Sequence, residues 1–91
     1  MKGLIDEKSF TDKDWISAVS FLGELNRYAQ AATLCQNALA LYPRSSYLHY
    51  LFGQSLLKEG KKEGAKKELQ KAVSLDPSND EAVIELKQSF K

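Results

Sequence analysis

Apolar residues recur along this chain at helical spacing, interrupted at short and regular intervals. From Asp12 to about Leu25 the series Trp15, Ala18, Val19, Leu22 and Leu25 falls at i, i+3, i+4, i+7 and i+10, which predicts one face of a helix. Thr11-Asp12-Lys13-Asp14 supplies a cap-like start, with an acid three residues after the threonine. Asn26-Arg27 is a short break. Tyr28, Ala31, Ala32, Leu34, Cys35, Ala38, Leu39 and Leu41 then describe a second helix, and Tyr42-Pro43-Arg44 ends it, because a proline disfavours the helical region for the residue before it. Ser45 or Ser46 caps a third helix whose inner face is His49, Phe52, Gly53 and Leu56, with Gly60 at the following turn. A fourth helix places Ala65, Leu69, Ala72, Val73 and Leu75 inward and stops at Asp76-Pro77. Ser78-Asn79-Asp80-Glu81 reads as a further capping box and opens a fifth helix with Ala82, Val83, Leu86 and Phe90 on one face. Strand-like alternation is absent. Residues 1–11 show no clear period, although Leu4, Ile5 and Phe10 offer apolar groups that could dock on the first helix.

The pattern repeats itself every 34 residues. Pro43 and Pro77 are 34 apart, as are Ala31 and Ala65, Ala38 and Ala72, Leu22 and Leu56, and Leu41 and Leu75. A fixed period of this size marks a stack of supersecondary units, none of which buries its apolar face alone. Helices of about 12–14 residues are marginal in isolation, so packing between them must supply the stability. Short turns make them antiparallel hairpins set side by side. The expected organisation is an all-α chain of about five helices. Residues 1–11 form an extension, 12–45 and 46–79 two complete units, and 80–91 a cap or the first helix of a third unit.

These positions resemble those of tetratricopeptide repeat proteins. The first unit reads Trp15, Ala18, Val19, Leu22, Ala31, Cys35, Ala38, Pro43. The second reads His49, Phe52, Gly53, Leu56, Ala65, Leu69, Ala72, Pro77. The third starts as Val83, Leu86, Lys87, Phe90. The resemblance covers residues 12–91, with Val19 in the glycine slot and His49 in the tryptophan slot as departures. It implies a right-handed superhelical stack in which the first helix of each pair lines a concave groove for a peptide or a helix of another protein. Carried onto this sequence, the groove rows are Lys13, Tyr47 and Glu81; Ile16, Tyr50 and Ile84; and Ser20, Gln54 and Gln88. The middle row is expected to be apolar and outside the core, with tyrosine a residue enriched at binding hot spots. The partner-binding residues implied are Lys13, Ile16, Ser20, Tyr47, Tyr50, Gln54, Ile84 and Gln88. One subfamily grips a terminal carboxylate with cationic and amide side chains. The matching slots here hold Ile16, Ser20, Leu51, Glu81 and Glu85, so that clamp is not expected.

Composition narrows the chemistry. The chain has 91 residues, 43% of them hydrophobic, and thirteen basic against twelve acidic side chains for a net charge of +1. That balance argues against a broad nucleic-acid or membrane footprint, and no apolar run approaches the roughly 18 residues of a membrane span. The lone Cys35 has no internal partner, which fits a reducing compartment and a cytoplasmic address. His49 and Cys35 are the two residues that invite a nucleophile or metal reading. Both fall in slots facing the repeat core, and a structural zinc site needs four ligands. Six lysines between Lys58 and Lys71 are interrupted by Glu59, Glu63 and Glu68 and carry no interleaved aromatics, the pattern of a solvated helix face. No phosphate loop, carboxylate pair or metal motif is present.

The expected function is a non-enzymatic interaction module without cofactor or metal, binding a peptide or helix of another protein. The alternative is a structural unit that dimerises through its unpaired C-terminal helix, where Ile84 lies off the inner face.

Overall fold

A computed structural model describes residues 11–90 of the protein. Five α-helices follow one another: α1 (Asp12–Glu24), α2 (Tyr28–Leu41), α3 (Ser46–Lys58), α4 (Lys62–Leu75) and α5 (Asp80–Ser89). The described residues contain no strand. The possible docking of Leu4, Ile5 and Phe10 lies outside the described residues.

The 34-residue period is written into the helix ends. Thr11, Ser45 and Asn79, 34 apart, are the N-cap residues of α1, α3 and α5. At α1 the carboxylate of Asp14 accepts the Thr11 backbone N–H at 2.8 Å. At α3 the Leu48 N–H donates to Ser45 Oγ at 3.3 Å, and at α5 the Ala82 N–H donates to Asn79 Oδ1 at 3.3 Å. The box expected from Ser78 and Glu81 does not form. Ser78 instead turns its hydroxyl and its N–H onto Asp76 Oδ1, at 2.6 and 3.0 Å, which leaves the cap to Asn79.

The turns inside the two hairpins also match. Asn26 (φ 59°) and Gly60 (φ 83°) are 34 apart and both left-handed. Behind them, Arg27 N–H reaches Leu22 C=O at 2.9 Å and Asn26 N–H reaches Gly23 C=O at 3.0 Å. Lys61 reaches Leu56 at 2.8 Å and Gly60 reaches Leu57 at 3.0 Å. Each is a Schellman closure that satisfies the last carbonyls of α1 and α3.

Central α3 touches all four other helices. The pairs α1–α3 and α3–α5 are in contact, whereas α2 and α4 are not. So α1, α3 and α5 form one layer, and α2 and α4 pack behind it. The tightest meeting is between α3 and α4. A Cβ built on Gly53 would lie 2.9 Å from Leu69 Cγ and 3.1 Å from the Ala65 carbonyl oxygen, so the glycine slot does what the pattern asks. In the first hairpin Val19 fills that slot, buried, and α1 and α2 pack less closely along their length.

The core is built from Val19, Ala31, Cys35, Tyr50, Leu51, Leu69, Ala72 and Ala82, with Leu48 and Ala65 also fully covered. Three leucines of the periodic series, of which Leu75 was expected on an inner face, are not inside. Leu25, Leu41 and Leu75 are 49%, 52% and 42% exposed. Leu41 and Leu75 each sit ten residues after the first core residue of their helix, Ala31 and Ala65, and at 3.6 residues per turn that step lands about 80° off the inward line, whereas Leu25 is the C-cap residue past the end of α1. At the other end of the hairpins, Ser46 Oγ donates to Ala72 C=O at 2.7 Å and accepts from Asn79 Nδ2 at 2.9 Å. One hydroxyl thus joins the start of α3, the end of α4 and the cap of α5.

Candidate functional site

Side by side, α1 and α3 leave a cleft of about 320 Å³ between them. Its α1 wall is Val19, Ser20, Gly23 and Glu24, and its α3 wall is Tyr47, Tyr50, Leu51, Gln54, Ser55 and Lys58, with Tyr28 at one end. A second depression of about 380 Å³ lies on the other side of α3, between Gln54, Leu57, Lys58, Lys62, Glu85 and Ser89. Gln54 and Lys58 border both, so a ligand lying across α3 reaches from α1 to α5.

The cleft gathers four of the residues singled out from the sequence: Ser20, Tyr47, Tyr50 and Gln54. Ile16 is half-buried and packs against the core cluster. Lys13, Ile84 and Gln88 are exposed and border neither depression. Tyr50 departs from expectation, since it is only 7% exposed and belongs to the core. It lies on α3, which is flanked by α1 on one side and α5 on the other. Its hydroxyl stays at the cleft and accepts from Gln54 Nε2 at 3.1 Å. The Tyr47 ring stands 5.3 Å from that of Tyr50, tilted by 46°, a favoured geometry for an aromatic pair.

Charge around the tyrosines is negative. Burial and then the carboxylate of Glu81 hold both hydroxyls above the ordinary tyrosine range, and Tyr47 and Glu85 add to the effect at Tyr50. Glu85 accepts a hydrogen bond from Ser89 Oγ at 2.7 Å.

Gly23, Glu24, Tyr28, Lys58 and Glu85 also border the site and were not foreseen as part of it. A signal for two of them was present: the rows continue one turn further, and Glu24 and Lys58 are again 34 apart.

His49 and Cys35 face the core, as their slots imply. His49 is 8% exposed, with Nε2 2.8 Å from Pro43 C=O and Nδ1 2.7 Å from Glu68 Oε1. Burial, and then the charge of Glu68, push the Cys35 thiol up to about 12, the behaviour of an inert structural cysteine. Among the described residues no three His, Cys, Asp or Glu side chains gather as metal ligands. The Lys58–Lys71 lysines are exposed, and Lys71 Nζ lies 3.8 Å from Glu68 Oε2. Among the described residues no helix is long and apolar enough to cross a membrane.

A family model described as Tetratricopeptide repeat matches residues 24–89. No curated relative matches the sequence.

Proposed function

The chain belongs to the tetratricopeptide repeat family, and we propose on that premise that it is a non-catalytic module that takes a segment of a partner protein into the cleft between α1 and α3. Repeats of this family mediate protein–protein interactions. The observation that supports this cleft over other surfaces is the Tyr47–Tyr50 pair at its wall, beside the Gln54 amide. Large, rigid, amphipathic rings next to an amide suit a peptide backbone and its apolar side chains. No residue set in the cleft has the nucleophile, base and orienting group that a reaction requires. The buried free thiol of Cys35 fits a cytoplasmic setting.

Two cleft-blocking variants test the reading. Ser20→Arg fills the α1 wall, and Tyr47→Ala removes a half-buried ring from the edge of the core cluster. A partner captured from the native lysate by the wild-type chain is expected to bind each variant at least tenfold more weakly, with helicity unchanged. Equal binding by wild type and both variants would place the partner elsewhere.

Self-association through α5 remains a second proposal, carried by the 51% exposure of Ile84. Lys87 weakens it. That residue occupies the slot of Gly53, where close helix approach needs a glycine, and it is exposed. Sedimentation at high concentration decides this, and a monomer removes the proposal.

A further inference from the structure

We propose that the Tyr47–Tyr50 pair, together with Glu81 and Glu85 of α5, receives a cationic side chain, Lys or Arg, from the segment bound in the cleft. This rests on the reading of the cleft as a peptide site and adds the chemistry of its occupant.

Three observations meet at this corner. The first is the aromatic pair, 5.3 Å between centroids and tilted by 46°, with Tyr47 only half-buried. The half-buried Tyr47 ring, backed by Tyr50, offers a face to a cation, an attraction of electrostatic origin. The second is the pair of carboxylates. Glu81 and Glu85 are one turn apart on α5, so they are neighbours of like charge, an arrangement that disfavours the helix on its own. No described Lys, Arg or His lies within ion-pair distance of either, in contrast to Glu68, which has both His49 and Lys71. The third is placement. Gln54, whose amide donates to the Tyr50 hydroxyl at 3.1 Å, borders one depression with Glu85, and the charge of Glu81 bears on both tyrosine hydroxyls.

The cations near the site lie elsewhere. Lys58 and Lys62 share a depression with Glu85 but lie outside ion-pair distance of it, and Lys58 is eleven residues along α3 from Tyr47, about 16 Å at the helical rise. Lys13 is exposed on α1. Charge complementarity therefore orients the occupant, with its Lys or Arg at the tyrosine end. An extended segment covers that length in about five residues.

The test is a selection from a displayed library of random twelve-residue peptides on the wild-type chain, followed by titration of the selected synthetic peptides. Peptides are expected to be enriched in Lys or Arg and to lose about tenfold in affinity for the Glu81→Gln, Glu85→Gln double variant. Lys58→Gln is expected to leave that cation's contribution in place. Peptides that compete with one another, are blocked by Ser20→Arg and show no basic enrichment would overturn the cationic subsite and leave the cleft standing. Basic peptides indifferent to the double variant would do the same. A selection that returns no cleft binder would overturn both.

Discussion

His49 and Glu68 join α3 to α4 through a 2.7 Å contact between Nδ1 and Oε1, in a part of the structure where each side chain is nearly closed off from water. The other ring nitrogen faces Pro43 C=O at 2.8 Å. A carbonyl only accepts, so Nε2 carries a proton there, and the contact with Glu68 must share one more. A helix, its hairpin partner and the preceding loop are thus tied through one imidazole. Glu68→Ala leaves Nδ1 buried without its partner. The expected loss is about 1–3 kcal/mol of unfolding free energy, measured by urea denaturation. A Glu68→Leu, His49→Leu double variant is expected to lose less than the sum of the two single losses, because no half-satisfied group remains.

Gly53 of α3 and Gly23 of α1 respond to the same substitution in opposite directions. Gly53→Ala places a methyl 2.9 Å from Leu69 Cγ and 3.1 Å from a backbone oxygen that has no freedom to swing away. Separation of α3 from α4 is expected to cost about 1–3 kcal/mol. At Gly23 an added Cβ meets nothing within 4 Å, and Gly23→Ala is expected to gain about 0.5–1 kcal/mol through helix propensity. Thermal or chemical unfolding of both variants checks the sign. A destabilised Gly23→Ala would contradict the open geometry of the cleft wall.

Helix order and hairpin pairing were legible because a period of 34 is imposed by stacking and shows in small residues at close helix approaches, such as Gly53 against Leu69 and the fully buried Ala31 and Ala65. The cap box at Thr11 was legible, whereas at α3 the sequence offered Ser45 or Ser46, and the structure gives the cap to Ser45 because Ser46 is engaged with Ala72 and Asn79. The expectation failed at Ser78, where two bonds to Asp76 outcompeted the box. Apolar residues at helix ends misled, since Leu41 and Leu75 have the right chemistry at an angle that misses the core and Leu25 lies past the end of α1. Around the cleft, the slots that identified Tyr47 and Gln54 say which helix faces the opening and nothing of depth, so the 7% exposure of Tyr50 was not readable. Glu68 as the partner of His49 was invisible for a related reason: it depends on how two hairpin helices align, which local spacing does not encode.

Stability is expected to fall in alkali through Cys35. Its thiol is held at about 12 in the folded chain against an ordinary 9.0, first by burial and then by Glu68. An acid whose folded value is raised keeps its proton on folding. Its contribution is complete below about 9 and is lost progressively as the pH climbs towards about 12. Tyr47 and Tyr50, also raised, act in the same direction. Unfolding free energies measured across pH 8–11 are expected to decline, and Cys35→Ala is expected to flatten part of that slope. The same burial predicts that a thiol reagent labels Cys35 at the rate of opening, so labelling accelerates with added urea. Rapid labelling of the native protein would contradict the closed core.

At the α4–α5 junction, the competition between Ser78 and Asn79 for the role of cap gives a direct comparison. Asn79 uses both ends of its amide, Oδ1 accepting from the Ala82 N–H at 3.3 Å and Nδ2 donating to Ser46 Oγ at 2.9 Å. Loss of both by Asn79→Ala is expected to cost about 1–2 kcal/mol. Because Ser46 also holds Ala72 C=O, the change is expected to loosen the end of α4 as well as the start of α5. Amide hydrogen exchange would show this as faster exchange along both helix ends. Ser78→Ala removes a bond to an exposed Asp76 carboxylate and no bond to a helix N–H, so its expected cost stays within about 0.5 kcal/mol. Asn79→Asp separates the two functions: it keeps an oxygen for Ala82 and places negative charge at the helix start, where the dipole favours it, while giving up the donor to Ser46. If Asn79→Asp exchanges like wild type at the start of α5 but faster at the end of α4, the amide is joining two repeats. If both ends behave like wild type, Asn79 is a helix cap alone.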